Sequence, residues 1–250
     1  MVYQKVNQLK NNLMVDILAF GAHPDDVELS AAGTLIKHIK LGYSVGIIDL
    51  TMGEMGTRGT PEIRALEADQ AKKIIGANFR QNLQMPDSFI DLSKNSIEKV
   101  VEVLRAHQPK IVFCNAVKDR HPEHEVAANL VSKACFISGL LKYETFLDGE
   151  IQAPHRPQNI YHYIQDQWID PDFVVDVSKE MNQKIKAIKA FESQFYNPKS
   201  KEPNTPISNK DFMDSISSKA NLLGRTIGRS FGEGFTVERP IGTNNLMNIF

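Results

Sequence analysis

The chain has 250 residues, of which 42% are hydrophobic and 24% are charged, which suits one large domain or two small ones with a substantial core. Its 29 basic and 30 acidic residues give a formal net charge of −1, which provides no general attraction to nucleic acid or to an anionic membrane. No apolar run approaches the roughly 20 residues that span a bilayer, and residues 1–13 are predicted to be a polar leader. Cys114 and Cys135 are expected to be buried thiols of a cytoplasmic protein.

Strands and helices are predicted to alternate along the first 150 residues. The predicted strands cover residues 15–21, 44–50, 79–83 and 110–114, and the predicted helices cover residues 28–41, 61–75, 96–107 and 122–141. This alternation predicts an α/β fold with a Rossmann-like, mostly parallel sheet and helices on both faces. In such a fold, ligands bind beyond the carboxyl ends of the strands.

The rest of the chain is predicted to elaborate the same single domain, 1–250. Its predicted strands cover residues 159–164 and 173–177, its predicted helices cover residues 179–194 and 212–223, and a glycine-punctuated tail follows.

The first motif, Ala22-His23-Pro24-Asp25-Asp26, follows the first predicted strand. Taken alone, this motif suits a metal site and a plain turn equally well, because Asp and Pro are also favoured in a turn that caps the next helix. Adjacent carboxylates repel each other unless a cation or strong donors offset the repulsion. His23 and Asp26 offer ligand atoms that zinc accepts, and Asp25 is then free to act on a water molecule. Dinucleotide binding is excluded, because the acids repel phosphate and the turn lacks the G-x-G-x-x-G glycines.

The second motif, Asp119-Arg120-His121-Pro122-Glu123-His124, follows the strand predicted at 110–114 and opens a helix at its proline. His121 and His124 are three residues apart, so both face one side of the helix start. A lone histidine is more often structural, but two beside a His/Asp turn on another strand favour a metal centre. A catalytic zinc typically has three protein ligands and a water molecule. The candidate ligands are His23, Asp26 and His124, and the candidate catalytic groups are Asp25 and His121.

The segments LAFGAHPDDVE (18–28) and RHPEH (120–124) are similar to those of the PIG-L/LmbE-like zinc deacetylase family. Shorter segments resemble the bacillithiol-pathway branch, whose members deacetylate N-acetylglucosaminyl malate; these are residues 59–64, 82–87, 154–156, 192–195 and 232–235. The resemblance runs from about Met14 to about Phe235. It implies that one zinc ion, or another divalent metal, is bound by His23, Asp26 and His124. It also implies that Asp25 is the general base and that His121 supports the oxyanion.

The branch resemblance also implies how the rest of the substrate is bound. Arg64 matches the family's substrate arginine, and it is expected to bind malate carboxylates through its planar fork. Arg120 and Arg58 are further candidates, although a solvated or helix-pairing role is the alternative for each and is favoured for Arg58. Many relatives carry Asp where this chain has Glu123, a residue expected to orient His121. A homo-oligomer, as in the hexamers of this branch, is expected.

The sequence thus predicts an enzyme that removes the N-acetyl group of an N-acetylglucosaminyl conjugate, giving acetate and a free amino sugar, with N-acetylglucosaminyl malate as the substrate. No nucleic-acid or membrane partner is expected. One alternative is a deacetylase of another N-acetylglucosamine conjugate or of chito-oligosaccharides. Another is a catalytically silent, metal-binding interaction module, against which the intact Asp25 and His121 argue. The glycine-rich loop 51–60 suits either a mobile lid or plain turns.

Overall fold

The centre of the fold is a strand with apolar side chains on both faces. The protein is described by a computed structural model that covers residues 14–249, so the predicted leader, 1–13, lies outside the described residues. In β1 (Ile17–Gly21), Leu18 and Phe20 enter one hydrophobic cluster, whereas Ile17 and Ala19 enter another. This division follows from the period of a strand, in which successive side chains point to opposite faces. A strand of this composition has to be covered on both faces.

The described residues form nine strands and six helices. The strands after β1 are β2 (Val45–Thr51), β3 (Phe79–Met85), β4 (Ile111–Cys114), β5 (Phe146–Leu147), β6 (Glu150–Ile151), β7 (Asn159–Tyr163), β8 (Phe173–Asp176) and β9 (Gly232–Val237). The helices are α1 (Asp26–Lys40), α2 (Pro61–Ile75), α3 (Lys94–His107), α4 (Pro122–Ser138), α5 (Met181–Lys189) and α6 (Lys210–Thr226). A short 3-10 turn, Leu246–Asn248, follows them.

Seven of the strands form one sheet in the order β3-β2-β1-β4-β7-β9-β8. The first five strands in this order are parallel, and β9 is antiparallel to both β7 and β8. The prediction of a mostly parallel sheet is therefore confirmed. The chain goes outward from β1 to β2 and β3, then returns to place β4 on the other side of β1. The carboxyl ends of β1 and β4 thus flank the point where the strand order reverses, which is where such sheets bind ligands.

Helices cover both faces of the sheet, as predicted. Helices α3 and α4 pack with Leu18 and Phe20, and α1 packs with Ile17 and Ala19 on the opposite face. A third cluster joins α2, α5 and α6 beyond α1. Among residues 14–249, no helix has the length and apolar character needed to cross a bilayer.

The clearest error in the predicted elements concerns the glycine-punctuated tail, part of which is strand β9. Glycine weakens a strand, so Gly232 and Gly234 predict a loop. Here they allow close packing: a Cβ at Gly232 would lie 2.5 Å from Cγ1 of Val174 on β8. The helix predicted at 179–194 is also shorter than expected, because the chain turns after α5 and buries both Phe191 and Phe195.

Candidate active site

The two motifs meet at the carboxyl edge of the sheet, as the topology requires. The backbone N–H of Ala22, just beyond β1, donates a hydrogen bond of 2.9 Å to Oδ1 of Asn115, the residue after β4. Its carbonyl accepts a 2.9 Å bond from the hydroxyl of Thr51, the last residue of β2. The turn is tight, since a Cβ at Gly21 would lie 2.9 Å from the His23 carbonyl oxygen. The first motif is therefore fixed to the strands on both sides of β1.

Asp25 has a strained backbone and a buried side chain. Its φ of 121° lies in a region that non-glycine residues rarely adopt, at a cost of about 1–3 kcal/mol. Nη2 of Arg64 donates to Asp25 Oδ2 at 2.9 Å and to the carbonyl of Pro24 at 2.7 Å. Burial raises the pKa of Asp25 to about 7, although the Arg64 charge works in the opposite direction. A carboxyl group with a pKa near 7 is suited to general-base chemistry at neutral pH.

Three imidazole rings converge beside Asp25. The ring centroids of His23 and His121 are 4.8 Å apart, and those of His121 and His124 are 4.9 Å apart. Asp26 contacts the outer two rings, with Oδ1 at 3.2 Å from His124 Nε2 and Oδ2 at 3.6 Å from His23 Nδ1. The structure thus brings together the three predicted ligands and both predicted catalytic residues.

Carboxylates behind the imidazoles hold the rings in place. His124 Nδ1 donates to Oδ2 of Asp119, and His23 Nε2 donates to Glu123 Oε2 at 2.9 Å and to Asp87 Oδ1 at 3.2 Å. Burial lowers the pKa of His124, but Asp26 and Asp119 outweigh it and raise that pKa to about 9. A metal-binding histidine commonly donates the N–H of its other ring nitrogen to a carboxylate.

Asp26 is held by two amides as well as by the histidines. Asn115 Nδ2 donates to its Oδ2, and Gln165 Nε2 donates to its Oδ1, each at 3.0 Å. Burial raises the pKa of Asp26, yet His124 and His23 lower it further, so the pKa lies well below the usual range. Asp26 is therefore an anion fixed in position between two imidazoles.

His121 differs from the other two histidines in its surroundings. Its Nδ1 is buried, and within residues 14–249 it has no hydrogen-bond partner. Burial and the neighbouring rings of His23 and His124 lower the pKa of His121, which favours a neutral imidazole. Glu123 accepts a hydrogen bond from His23 instead of the expected one from His121, and it also accepts from the backbone N–H groups of Ser88 and Ile90. The reason is geometric, because Glu123 faces the loop after β3.

The donor set suits a divalent metal ion. Two groups of three ligand atoms lie within 4.8 Å of one another, His23/His121/His124 and His23/Asp87/Glu123. Imidazole nitrogen and carboxylate oxygen are the ligand types that zinc and similar ions accept. The unpartnered Nδ1 of His121 and the carboxylates around His23 and His124 favour a cation in this cluster. Both groups contain His23, whereas the predicted ligand Asp26 is in neither, although its carboxylate lies 3.2 Å from His124 Nε2 and 3.6 Å from His23 Nδ1.

The three predicted substrate arginines occupy different positions. Arg64 lines the cavity, but its guanidinium is buried and pairs with Asp25. Arg120 lies at the cavity edge and forms an ion pair with Asp166. Arg58 is buried and is not among the cavity-lining residues; it contacts Ser200 and Glu202, which lie between α5 and α6.

A cavity of about 620 Å³ opens on the histidine cluster. Its other wall is formed largely by apolar side chains of α6 and the segment before it, including Ile207, Phe212, Ile216 and Leu223. Trp168 also lines the cavity and is 43% exposed. Its indole Nε1 donates to Asp170 at 2.9 Å.

The sequence analysis missed several polar residues of this site: Asp87, Asn115, Asp119, Gln165 and Lys219. A signal was present for Asp87 and Asn115, because they follow β3 and β4 as the first motif follows β1. Asp119 belongs to the second motif itself. No local signal marks Lys219 on α6.

The chain is similar to known proteins over the segment that contains both motifs. The family model described as PIG-L, GlcNAc-PI de-N-acetylase, matches residues 18–135, a segment that contains both motifs. The chain is 33% identical to the conserved protein TT1542 from Thermus thermophilus, whose crystal structure superposes with a TM-score of 0.81. That similarity covers 92% of this chain and 97% of the other.

Three curated relatives are deacetylases by name. The uncharacterized deacetylase YaiS of Escherichia coli K12 is 34% identical over 142 residues, 52% of this chain and 73% of the relative. Diacetylchitobiose deacetylase of Thermococcus kodakarensis is 28% identical over 204 residues, 76% of this chain and 74% of the relative. "Probable N-acetyl-alpha-D-glucosaminyl L-malate deacetylase 2" of Bacillus anthracis is 26% identical over 175 residues, 59% of this chain and 75% of the relative. The chain therefore belongs to the PIG-L (LmbE-like) deacetylase family and is an enzyme.

Proposed function

We propose that the protein is a zinc-dependent hydrolase that removes the N-acetyl group of an N-acetylglucosaminyl conjugate, giving acetate and a free amino sugar. The observation that carries this proposal is the convergence of Asp25, His121 and the His23/Asp26/His124 cluster on one cavity. The relatives named diacetylchitobiose deacetylase and probable N-acetyl-alpha-D-glucosaminyl L-malate deacetylase support the substrate class.

The residues divide the reaction between them. His23, Asp26 and His124 would hold a divalent ion, which when bound would supply Lewis acidity toward a carbonyl oxygen and a water molecule. Asp25 accepts the proton of the attacking water and later delivers a proton to the departing amine. His121 donates a hydrogen bond to the oxygen that becomes negative, a role that a neutral imidazole performs through its N–H. In comparable sites one such donor contributes about 3–4 kcal/mol.

N-acetylglucosaminyl malate is the substrate that we propose, on the basis of the segments that resemble the bacillithiol-pathway branch. A chito-oligosaccharide is the second candidate, supported by the similarity to diacetylchitobiose deacetylase over three quarters of the chain. The two differ in charge, because only the malate conjugate carries carboxylates beside the sugar. The expected cytoplasmic location and homo-oligomeric state remain predictions.

A comparison of substrates tests the proposal. Acetate release is measured with N-acetylglucosaminyl malate, diacetylchitobiose and free N-acetylglucosamine, first with the protein as purified and then after chelation and zinc return. We expect the highest kcat/KM with the malate conjugate, loss of turnover on chelation, and recovery with zinc. Faster turnover of diacetylchitobiose would assign the protein to the other substrate.

The same measurements exclude or establish a catalytically silent module. Such a protein binds zinc but releases no acetate from any of the three sugars. That result would contradict the proposed function.

A further inference from the structure

Among the described residues, one cation in the active-site cavity has no ionic partner. Four lysine and arginine side chains line the cavity, namely Arg64, Arg120, Lys184 and Lys219. Arg64 pairs with Asp25, Arg120 pairs with Asp166, and Lys184 lies 2.6 Å from Glu233. Within residues 14–249, no hydrogen bond or ion pair engages the ammonium group of Lys219. Of the four, Lys219 therefore has no internal ionic partner to give up when an anion binds, whereas the half-exposed Arg120 shares its guanidinium with Asp166 through Nε.

The surroundings of Lys219 do not neutralise it. Burial and the charge of Lys184 lower the pKa of Lys219 to about 8, while Asp119 and Asp166 act in the opposite direction. Both carboxylates have other partners, since Asp119 accepts from His124 and Asp166 pairs with Arg120. Partial removal from water destabilises an unpaired ammonium group, and a bound anion offsets that cost.

The position of Lys219 relates it to the reaction site. It projects from α6 into the cavity that also contains His121 and His124. The neighbouring cavity lining on the same helix combines the apolar Ile216, Ala220 and Leu223 with the hydroxyl groups of Ser215 and Ser218. An N-acetyl group placed at the histidines leaves the remainder of the conjugate to fill the rest of the cavity, where Lys219 lies.

We propose that Lys219 is a specificity-determining residue, which binds a carboxylate on the aglycone of the substrate and so selects acidic N-acetylglucosaminyl conjugates over neutral ones. This assignment rests on the proposed function and deepens it. The residue that binds the anion is then Lys219 in the C-terminal part of the chain. Arg64 and Arg58, which are candidates from the sequence, form internal contacts instead.

The test is a kinetic comparison of two substrates that differ in aglycone charge. Wild-type enzyme, Lys219→Met and Lys219→Arg are assayed with N-acetylglucosaminyl malate and with methyl N-acetylglucosaminide. We expect Lys219→Met to lower kcat/KM for the malate conjugate about 10- to 100-fold, the range for a lost hydrogen bond to a charged group, mainly through KM. The methyl glycoside should be affected less than about threefold, and Lys219→Arg should retain most of the preference for malate.

The matched control is Lys210→Met, which removes an exposed lysine from the start of the same helix, outside the cavity lining. It should leave both substrates unaffected. An equal loss on both substrates with Lys219→Met would overturn the assignment, because it indicates a structural role. Unchanged kcat/KM for the malate conjugate would also overturn it.

A binding measurement separates this assignment from the proposed function. Glucosaminyl malate and methyl glucosaminide are titrated calorimetrically into zinc-loaded wild-type protein and Lys219→Met. If Lys219→Met binds glucosaminyl malate more weakly than the wild type does, while the two proteins bind methyl glucosaminide equally, the role of Lys219 is supported. This conclusion holds even if no acetate is released from any substrate. Equal binding of glucosaminyl malate by the two proteins contradicts it, whatever the turnover.

Discussion

The Nη2 of Arg64 lies 2.9 Å from Oδ2 of Asp25, and both side chains are buried. This contact depends on a glycine in the loop after β2. A Cβ at Gly53 would lie 1.8 Å from Nη1 of Arg64, and the carbonyl of Gly53 accepts a bond from that same nitrogen. Gly53 therefore leaves the space in which the guanidinium reaches the proposed general base.

Replacing Gly53 with alanine should disable the reaction without unfolding the protein. The methyl group has to displace Arg64, and a displacement of about 1 Å at a catalytic group can lower the rate about 100-fold. We expect a fall of that order in kcat. Gly42→Ala is the control, because Gly42 also has a positive φ, 93°, but a Cβ there meets no atom within 4 Å. In both variants the alanine should add about 1–2 kcal/mol of backbone strain. Urea unfolding measures the resulting loss in the free energy of unfolding. Similar kcat values for the two would rule out the proposed role of Gly53.

Asp119 should control metal affinity through His124. The variant Asp119→Asn removes the charge that faces His124 Nδ1, and loss of such a carboxylate typically weakens metal binding about 10- to 100-fold. Zinc affinity is measured by competition with a fluorescent chelator. The control is Asp211→Asn, an exposed aspartate in the first turn of α6. Wild-type affinity in Asp119→Asn would show that Asp119 does not support the metal site.

The preference for an acidic substrate should depend on pH through Lys219. Burial and Lys184 lower the pKa of Lys219 to about 8, against the opposing charges of Asp119 and Asp166. The lysine is cationic below that pKa and loses its charge as the pH rises through it. The KM for the malate conjugate, divided by that for methyl N-acetylglucosaminide, should therefore rise above about pH 8. With Lys219→Arg the ratio should stay constant to higher pH, because arginine keeps its charge. A constant ratio in the wild type would contradict this prediction.

Arg80 is expected to contribute to the stability of the fold and to take no part in the reaction. Its Nη1 lies 2.6 Å from Glu28 Oε1 and its Nε lies 2.7 Å from Asp49 Oδ2, with all three side chains buried. Arg80→Met leaves two buried carboxylates unpaired, which should lower the free energy of unfolding by about 3–5 kcal/mol in urea titrations. The control is Lys73→Met, which removes an exposed pair with Asp69 and should cost less than about 1 kcal/mol. An equal loss in the free energy of unfolding for the two variants would show that the buried ion pairs of Arg80 contribute no more than an exposed pair.

The sequence predicts the parts of this site that depend on local pattern. The strand β1 is predicted from its continuous apolar run, and the predicted helix 61–75 has the bounds that the structure shows, Pro61–Ile75. Both motifs could be assigned to one edge because the carboxyl ends of parallel strands meet there. That rule accounts for the convergence of the two motifs on one cavity. The roles of His23, Asp26 and His124 as ligands and of Asp25 and His121 as catalytic groups remain predictions.

Contacts between distant parts of the chain could not be predicted in this way. Lys219 reaches the cavity only because α6 packs against β9, and β9 itself was hidden by its glycines. The partner of Glu123 depends on where the loop after β3 lies, which no spacing within the second motif reveals. The engagement of Arg64 by Asp25 likewise depends on tertiary packing.

The central claim is that this cavity hydrolyses an N-acetyl group with Asp25 as the proton-transferring residue. The most direct measurement is acetate release from N-acetylglucosaminyl malate by wild-type enzyme and Asp25→Asn, with the zinc content of both determined. We predict equal zinc content and a rate for Asp25→Asn that is lower by about 100- to 10,000-fold, the usual contribution of a general base. Full activity of zinc-loaded Asp25→Asn, or no acetate release by the zinc-loaded wild type, would contradict the claim.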